Sequence, residues 1–182
     1  FYNQKLKINF KNDNLIFSGS GKFKIDKDFE EIDYFIEKKE NKISFNTNLN
    51  MKNTNFIIDK INYKKKDDSN ISIQIDGELK NNKNLNINSF IISEENNNIN
   101  IKNLSLNNFN QIIKIDQANL NYFDTENKKN NYNVEKVDSQ NYIIEGTSFN
   151  ANFLISSLLD TDDKKENDIF KNNITIDLNL DE

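Results

Sequence analysis

The 182-residue chain contains no histidine and no cysteine, and it also lacks proline, tryptophan and arginine. Nucleophilic catalysis with a histidine base is therefore excluded, together with the usual catalytic triads. Zinc sites of the ordinary kind depend on the same two missing residue types. The absence of cysteine does not indicate a cellular compartment, because a protein without disulfides can occupy any of them.

Clustered basic charge is missing as well. The net charge is −5 at pH 7, and the one cationic run, Lys64-Lys65-Lys66, is followed at once by Asp67-Asp68. Binding to nucleic acid depends on clustered cations that neutralise phosphates and release counterions. We therefore expect no nucleic-acid partner.

Long apolar runs are absent, but single apolar residues recur at regular spacing along the chain. No stretch approaches the roughly 18 apolar residues of a membrane-spanning helix, and no signal peptide is recognisable. Hydrophobic residues make up 35% of the chain, and the mean hydropathy of −0.82 leans toward disorder. The apolar residues nevertheless alternate strictly with polar ones, which a disordered chain has no reason to do. We therefore expect a folded protein with a thin apolar layer.

Alternation with a period of two predicts β-strands along most of the chain. The clearest run is 71–79, in which Ile71, Ile73, Ile75 and Leu79 alternate with polar residues and Gly77. Short polar connectors join the runs and favour antiparallel neighbours, because a parallel crossover needs about a dozen residues or more. The sequence therefore predicts a mostly β fold. It comprises strands within 1–25, an antiparallel meander over 42–146 and a last strand over 172–180.

Two segments depart from this alternation, and each predicts a short helix. Residues 28–39 have apolar positions at helical spacing, with Asp28 as a candidate N-cap. Residues 150–159 have Asn150 as a candidate N-cap and a run of leucines behind it. Helices this short are marginal alone, so we expect them to pack on the sheet. The apolar positions of the first segment are Phe29, Ile32, Phe35 and Ile36.

In two predicted strands the apolar residues change midway from one side of the sheet to the other. Ile101 and Leu104 would point to opposite sides of a sheet without an extra residue near Lys102-Asn103, and a similar change falls between Ile115 and Ala118. A β-bulge restores the facing and adds local twist. The pattern predicts a strongly curled sheet, an open half-pipe of the β-taco type.

Carboxylates are the remaining candidates for chemistry. Asp67-Asp68 and the cluster Asp160-Thr161-Asp162-Asp163 both lie in polar connectors. A glycosidase pair needs two carboxyl groups facing each other across a cleft, one with its pKa raised by burial. The Asp160 cluster also lacks the glycine and terminal glutamate of a calcium loop. We therefore expect no catalytic residue, no metal site and no cofactor, so that the protein is not an enzyme.

The stretch from Tyr142 to Leu159 reads YIIEGTSFNANFLISSLL. A strand ends at a glycine, small polar residues follow, and a leucine-bearing segment comes next. This order resembles the strand, glycine, "FDA" and "LL" pattern of AsmA-like envelope proteins with a DUF3971-type region, the relatives of YhdP and TamB. Asn150 stands where that family usually has Asp, which keeps the N-cap capacity but removes the charge.

The resemblance implies a place in the cell envelope. The chain 1–182 would be a single segment of a longer periplasmic β-groove in a Gram-negative bacterium, anchored in the inner membrane by a part outside this chain. The family's groove implies lipid transport: phospholipid passes toward the outer membrane as part of outer-membrane biogenesis. No catalytic residues and no cofactor come with this family.

An apolar row on so many strands, with two short helices to cover it, favours a face that shields acyl chains. Each buried methylene contributes about 0.8 kcal/mol without needing a directional bond. The alternative is a closed β-sandwich without ligand, a structural or adhesive surface module whose two sheets bury their inner faces against each other. The predicted lipid-lining residues are Ile43, Phe45, Leu49, Ile71, Ile73, Ile75, Leu79, Leu85, Ile87, Ile99 and Ile101.

Overall fold

A computed structural model of the chain describes residues 2–11, 13–25, 27–81, 84–107, 111–152, 155 and 175–180. Twelve strands form one large mixed sheet, and two short strands form a second sheet. Among the described residues, one 3-10 turn, Asp59–Ile61, lies between those two short strands. The strands are β1 (Tyr2–Lys11), β2 (Asn14–Ile25), β3 (Asp28–Lys39), β4 (Lys42–Met51), β5 (Ile57–Ile58), β6 (Tyr63–Lys64), β7 (Ile71–Lys80), β8 (Asn84–Glu94), β9 (Asn97–Leu106), β10 (Ile112–Lys114), β11 (Gln117–Phe123), β12 (Lys129–Lys136), β13 (Asn141–Ser148) and β14 (Thr175–Leu180).

The strands of the large sheet follow one another almost in chain order. The order is β1-β2-β3-β4-β7-β8-β9-β11-β12-β13-β14, with β10 also paired to β9. The described pairs from β1 to β13 are antiparallel, which confirms the meander over 42–146 apart from the excursion that holds β5 and β6. The last strand, predicted over 172–180, is present from Thr175 onward and pairs with β13 in parallel. Residues 172–174 lie outside the described residues.

Residues 28–39 form strand β3, so the predicted helix is wrong. β3 pairs with β2 along its whole length and with β4 from Glu31 onward. The helical spacing of its apolar residues also contains an alternating set, Ile32, Tyr34 and Ile36, which pairs with residues of β4. The neighbouring strands β2 and β4 form hydrogen bonds with the backbone of β3 on both sides. This tertiary pairing outweighs a weak local preference for helix.

The second predicted helix, 150–159, is not confirmed, because only residues 150–152 and 155 of this segment are described. Asn150 Oδ1 accepts a hydrogen bond from the Asn152 amide at 3.3 Å, and the Ile155 amide donates to the Ala151 carbonyl at 2.9 Å. The first contact fits the predicted N-cap. The other positions of this segment lie outside the described residues. Within the part of the chain that is described, no helix has the length and apolar character needed to cross a membrane.

The backbone is irregular at the places where the apolar residues were predicted to change from one side of the sheet to the other. Asn103 adopts a left-handed φ of 52°, between Ile101 and Leu104. The change predicted between Ile115 and Ala118 coincides with a break in the pairing, since β10 ends at Lys114 and β11 resumes the pairing with β9 from Gln117. Such irregularities add local twist. A strongly curled sheet is nevertheless not found among the described residues, so the predicted half-pipe is not confirmed.

The large sheet has one apolar face and one polar face. Directly paired residues on neighbouring strands project to the same side, so the register assigns each side chain to a face. Met51 pairs with Ile71, and Ile73 pairs with both Leu49 and Ile92. We call the side that carries these residues the apolar face. The opposite face carries chiefly Asn, Ser, Lys, Asp and Glu side chains.

Two glycines on the apolar face make room for aromatic rings. A Cβ at Gly77 would come within 2.8 Å of Cζ of Phe45, its direct partner on β4. A Cβ at Gly19 would come equally close to Cζ of Tyr34, its partner on β3. Glycine within a strand typically marks such a close approach. Each ring therefore lies over bare backbone on the neighbouring strand.

Candidate functional site

Residues 52–70, which we call the strap, cover one end of the apolar face. The strap leaves the sheet after β4, contains β5 and β6, and returns at β7. Tyr63 lies at its centre, fully buried, with ring contacts to Phe56 and Tyr122 at centroid distances of 6.4 and 6.0 Å. The Tyr122 hydroxyl donates a hydrogen bond to the Ile61 carbonyl at 2.8 Å. The core lies between strap and sheet, and its buried members are Met51, Tyr63, Ile71, Ile73, Ile92, Ile99, Ala118, Leu120, Tyr122, Tyr132 and Ile144.

Glu94, the last residue of β8, is a buried acceptor for the strap. Its carboxylate accepts hydrogen bonds from the Tyr63 hydroxyl at 2.7 Å, the Lys66 amide at 2.7 Å, the Asn97 side chain at 2.9 Å and the Ser69 hydroxyl. Burial alone would raise the pKa of Glu94, but these hydrogen bonds outweigh it and hold that pKa below its ordinary value. The carboxylate is therefore charged at neutral pH, and it fastens the strap to the sheet.

Glu30 fixes the start of the strap in the same way. Its carboxylate accepts the backbone amides of Lys52, Asn53 and Thr54 at 2.9, 2.8 and 2.7 Å. Burial opposes the charge, yet the amides hold the pKa of Glu30 below its ordinary value. Lys65, buried within the strap, donates from Nζ to the Lys52 carbonyl at 2.7 Å. The turn after β4 is therefore closed by charge-assisted hydrogen bonds.

Asp124 organises the loop on which the far end of the strap rests. Its carboxylate accepts the Lys128 amide at 2.9 Å and the Asn150 side-chain amide at 2.6 Å. Although burial would raise the pKa of Asp124, hydrogen bonds from Asn150 and the loop lower it overall. The neighbouring Thr125 amide donates to the Asn62 carbonyl of the strap at 3.0 Å. Three carboxylates therefore hold the strap and the loop against which it packs.

The register places all of the predicted lipid-lining residues on the apolar face, but the strap covers some of them. Ile71, Ile73 and Ile99 are at most 1% exposed and belong to the core. A substitution such as Ile73→Asp would therefore test folding instead of ligand access. Three more residues are half-buried and pack against this core: Leu49, Ile75 and Ile101. The remaining five are half-buried, lie toward the other end of the strands, and are called the open half: Ile43, Phe45, Leu79, Leu85 and Ile87.

The open half is continuous across three strands. Ile43 pairs with Leu79, which pairs with Leu85 on the far side. Phe45 faces Gly77, which in turn pairs with Ile87, so the Phe45 ring fills the space above the glycine. None of these residues belongs to the core cluster beneath the strap. The open half is therefore an apolar surface separate from the core.

One cation lies at the border of the open half: Lys38 pairs with Ile43, so its side chain projects to the apolar face, and it is exposed. The ion pairs at this end of the strands lie on the polar face instead: Lys42 and Lys80 both pair with Glu78, at N–O distances of 2.5 and 2.6 Å. Hydrogen bonds from these two lysines hold the pKa of Glu78 below its ordinary value. The lysine side chains are 47% and 55% exposed. An apolar surface with the exposed Lys38 at its border suits an amphipathic ligand with an acidic head.

Sequence reasoning missed several residues that extend the open half. Ile36 on β3 pairs with Phe45, and Phe17 on β2 pairs with Ile36. The helical interpretation of 28–39 concealed this row. On the other side Leu104 and Leu106 pair with β8, beyond the irregular Asn103. The alternation of β2 and the change of facing in β9 were the signals that could have identified them.

The carboxylates singled out in the sequence do not form a site in the described part of the chain. No group of three or more Asp or Glu side chains there is arranged to hold a metal ion. Asp67 and Asp68 are exposed at a turn of the strap. The cluster Asp160-Thr161-Asp162-Asp163 lies outside the described residues.

Comparison of the chain with protein-family models, curated proteins and solved structures found no match. The resemblance of 142–159 to AsmA-like proteins therefore stays a prediction from the sequence. Strand β13 differs slightly from that pattern, because it continues beyond Gly146 to Ser148.

Proposed function

We propose that the protein is a non-catalytic module that shields phospholipid acyl chains on the open half of its apolar face. The observation that carries this proposal is a continuous, half-buried row of Phe45, Ile87 and their neighbours outside the core. Burying one methylene group contributes about 0.8 kcal/mol, so several methylenes of one acyl chain suffice for useful affinity. No fixed pocket or directional contact is required.

The polar ends of the strands suit the headgroup. Lys38 lies near the end of β3, on the apolar face beside Ile43, and is exposed. An ammonium group interacts with a phosphate as a point charge and imposes little geometry. A phospholipid lying along the strands would place its phosphate near Lys38 and its acyl chains over Leu79 and Phe45.

Curling of the sheet is part of this proposal. Bulges and left-handed residues such as Asn103 increase the local twist of a strand. A sheet that curls toward its apolar face would enclose an acyl chain more completely than a flatter one. The half-pipe expected from the sequence is thus proposed as the conformation that holds lipid.

The resemblance of 142–159 to AsmA-like proteins supplies the proposed setting. In that setting the chain is one segment of a longer groove in the periplasm. An anchor outside this chain attaches it to the inner membrane, and it contributes to phospholipid transport for outer-membrane biogenesis. The one-sided apolar sheet supports a groove of this kind.

Native mass spectrometry followed by solvent extraction and lipid analysis tests the proposal. Phospholipid should copurify with the wild-type chain and be lost from Phe45→Asp. Asn46→Asp is the matched control, since Asn46 lies next on β4, points to the polar face and is exposed. The control should retain lipid at the wild-type level. A wild-type protein that neither copurifies with phospholipid nor takes it up from vesicles would contradict the proposal.

The second candidate is a structural or adhesive module without ligand. A closed β-sandwich would need a second sheet of comparable size against the apolar face. Within the described residues the second sheet has two strands of two residues each. The observation that favours this candidate is the sealed core beneath the strap. A lipid-free monomer that unfolds cooperatively would support it.

A further inference from the structure

The two edges of the large sheet present matching apolar rows. On β1 the row is Leu6, Ile8 and Phe10, which are 55%, 55% and 73% exposed. Their partners on β2 belong to the apolar face, so these three side chains project to that face. Among the described strands β1 pairs with β2 alone. Within the described residues its outer backbone edge is therefore unpaired and open to another strand.

Among the described strands β14 forms the other edge of the sheet and repeats the pattern. Ile176, Leu178 and Leu180 are 41%, 46% and 40% exposed. Ile176 pairs with Tyr142 and Leu178 with Ile144, which places this row on the apolar face as well. Both edges therefore expose three apolar residues at alternate positions on the same side of one sheet.

The polar faces of the two edges carry opposite charge. On β1 the alternate positions hold Lys5, Lys7 and Lys11, and the strand has no acidic residue. On β14 they hold Asp177 and Asn179, and that strand has no basic residue. Opposite charges in neighbouring strands stabilise pairing, whereas like charges directly opposite each other destabilise it. Pairing of β1 with a second β1 is therefore disfavoured, and pairing of β1 with β14 is favoured.

Strand direction allows this pairing between two copies in the same orientation. The strands alternate in direction from β1 to β13, and β14 runs parallel to β13, so β14 is antiparallel to β1. A second copy placed beside the first would extend the sheet with one more antiparallel pair. Ten strand spacings of about 4.8 Å separate the two edges, roughly 48 Å along the sheet. Since no strongly curled sheet is found among the described residues, the two edges do not meet within one chain.

We propose that the protein assembles head to tail, with β14 of one copy pairing antiparallel to β1 of the next. The apolar rows set the register: Leu6 opposite Leu180, Ile8 opposite Leu178 and Phe10 opposite Ile176. Lys7 then lies opposite Asn179. Asp177 lies diagonally between Lys7 and Lys11. The interface is heterologous, so addition can continue into an open chain of copies. This inference rests on the edges alone and does not depend on lipid binding.

Disulfide crosslinking tests the register directly, because the chain has no cysteine of its own. Lys7→Cys and Asn179→Cys, mixed as separate lipid-free proteins and mildly oxidised, should form a mixed dimer identified by the linked peptide. The double variant should form a ladder of multimers. Asn46→Cys, exposed on the polar face of the central strand β4, is the control and should crosslink with neither partner.

A charge reversal tests the specificity of the contact. Asp177→Lys should weaken association in sedimentation velocity by roughly three- to tenfold, and Lys7→Glu in the partner should restore it. A protein that stays monomeric and uncrosslinked at all concentrations would overturn the inference. So would an intramolecular disulfide in the double variant, since the sheet would then close on itself. Equally efficient crosslinking of Lys7→Cys with itself would overturn the head-to-tail order.

Discussion

At the residue scale, buried carboxylates decide where the strap lies. Glu94 and Glu30 each accept several hydrogen bonds from strap residues, and they lie at the last position of β8 and the third position of β3. A buried charge is costly unless its hydrogen bonds are complete. Each carboxylate therefore stabilises one position of the strap and penalises its displacement.

Glu94→Gln should destabilise the protein. The amide keeps the shape but loses the charge, and its NH2 group would face the donors that now point at the carboxylate. We expect the free energy of unfolding in urea to fall by about 1–3 kcal/mol. Glu95→Gln is the matched control, because Glu95 is exposed and pairs with Lys66 at 3.2 Å. Its effect should stay below about 0.5 kcal/mol, and equal effects in the two variants would contradict the anchoring role of Glu94.

Acid should weaken the fold through the same groups. The pKa values of Glu94, Glu30 and Asp124 are lowered in the folded protein, so the unfolded chain binds protons first as the pH falls. Their contribution to stability is complete above about pH 5 and is lost as the pH falls through the ordinary carboxyl range toward the lowered values. Urea unfolding between about pH 7 and pH 3 should show this loss. The free energy of unfolding should fall less steeply with pH in Glu94→Gln than in the wild-type protein. An identical pH profile in the variant and the wild type would refute the role assigned to the Glu94 carboxylate.

At the element scale, β3 shows how pairing overrides a local pattern. Its apolar residues fit helical spacing and alternation equally well. If residues 28–39 formed a helix, Phe35 and Ile36 would lie on one buried face of it. As a strand, Ile36 lies on the apolar face opposite Phe45, while Phe35 projects to the polar face and is 44% exposed.

Two alanine substitutions in β3 distinguish these structures. Ile36→Ala should lower the free energy of unfolding by about 1–2 kcal/mol, because a half-buried side chain loses its contacts on the apolar face. Phe35→Ala should change it by less than about 0.5 kcal/mol, as for other surface substitutions. Urea denaturation of both variants measures the difference. Comparable losses of the free energy of unfolding in the two variants would favour a helix over 28–39.

At the scale of the whole molecule, one sheet carries two separate apolar surfaces. The strap and the end of the sheet near Ile71 form a closed core, whereas the open half around Phe45 and the edge rows stay accessible. Lipid shielding uses the open half, and head-to-tail assembly uses the edges. The two proposals can therefore fail independently. Together they would produce a sheet whose apolar face continues from one copy to the next.

The sequence alone determined the mostly β fold, the meander and the facing of the apolar rows. Alternation depends on the geometry of single strands, so a residue such as Ile75 can be assigned to one face of the sheet from its neighbours in the sequence. The tertiary structure decided that 28–39 is a strand, that Ile73 is covered and that Phe45 is not. These outcomes depend on contacts between residues far apart in the chain, such as Tyr63 with Glu94 at 2.7 Å. No local pattern encodes them, because the strap becomes a cover only when the sheet beneath it has formed.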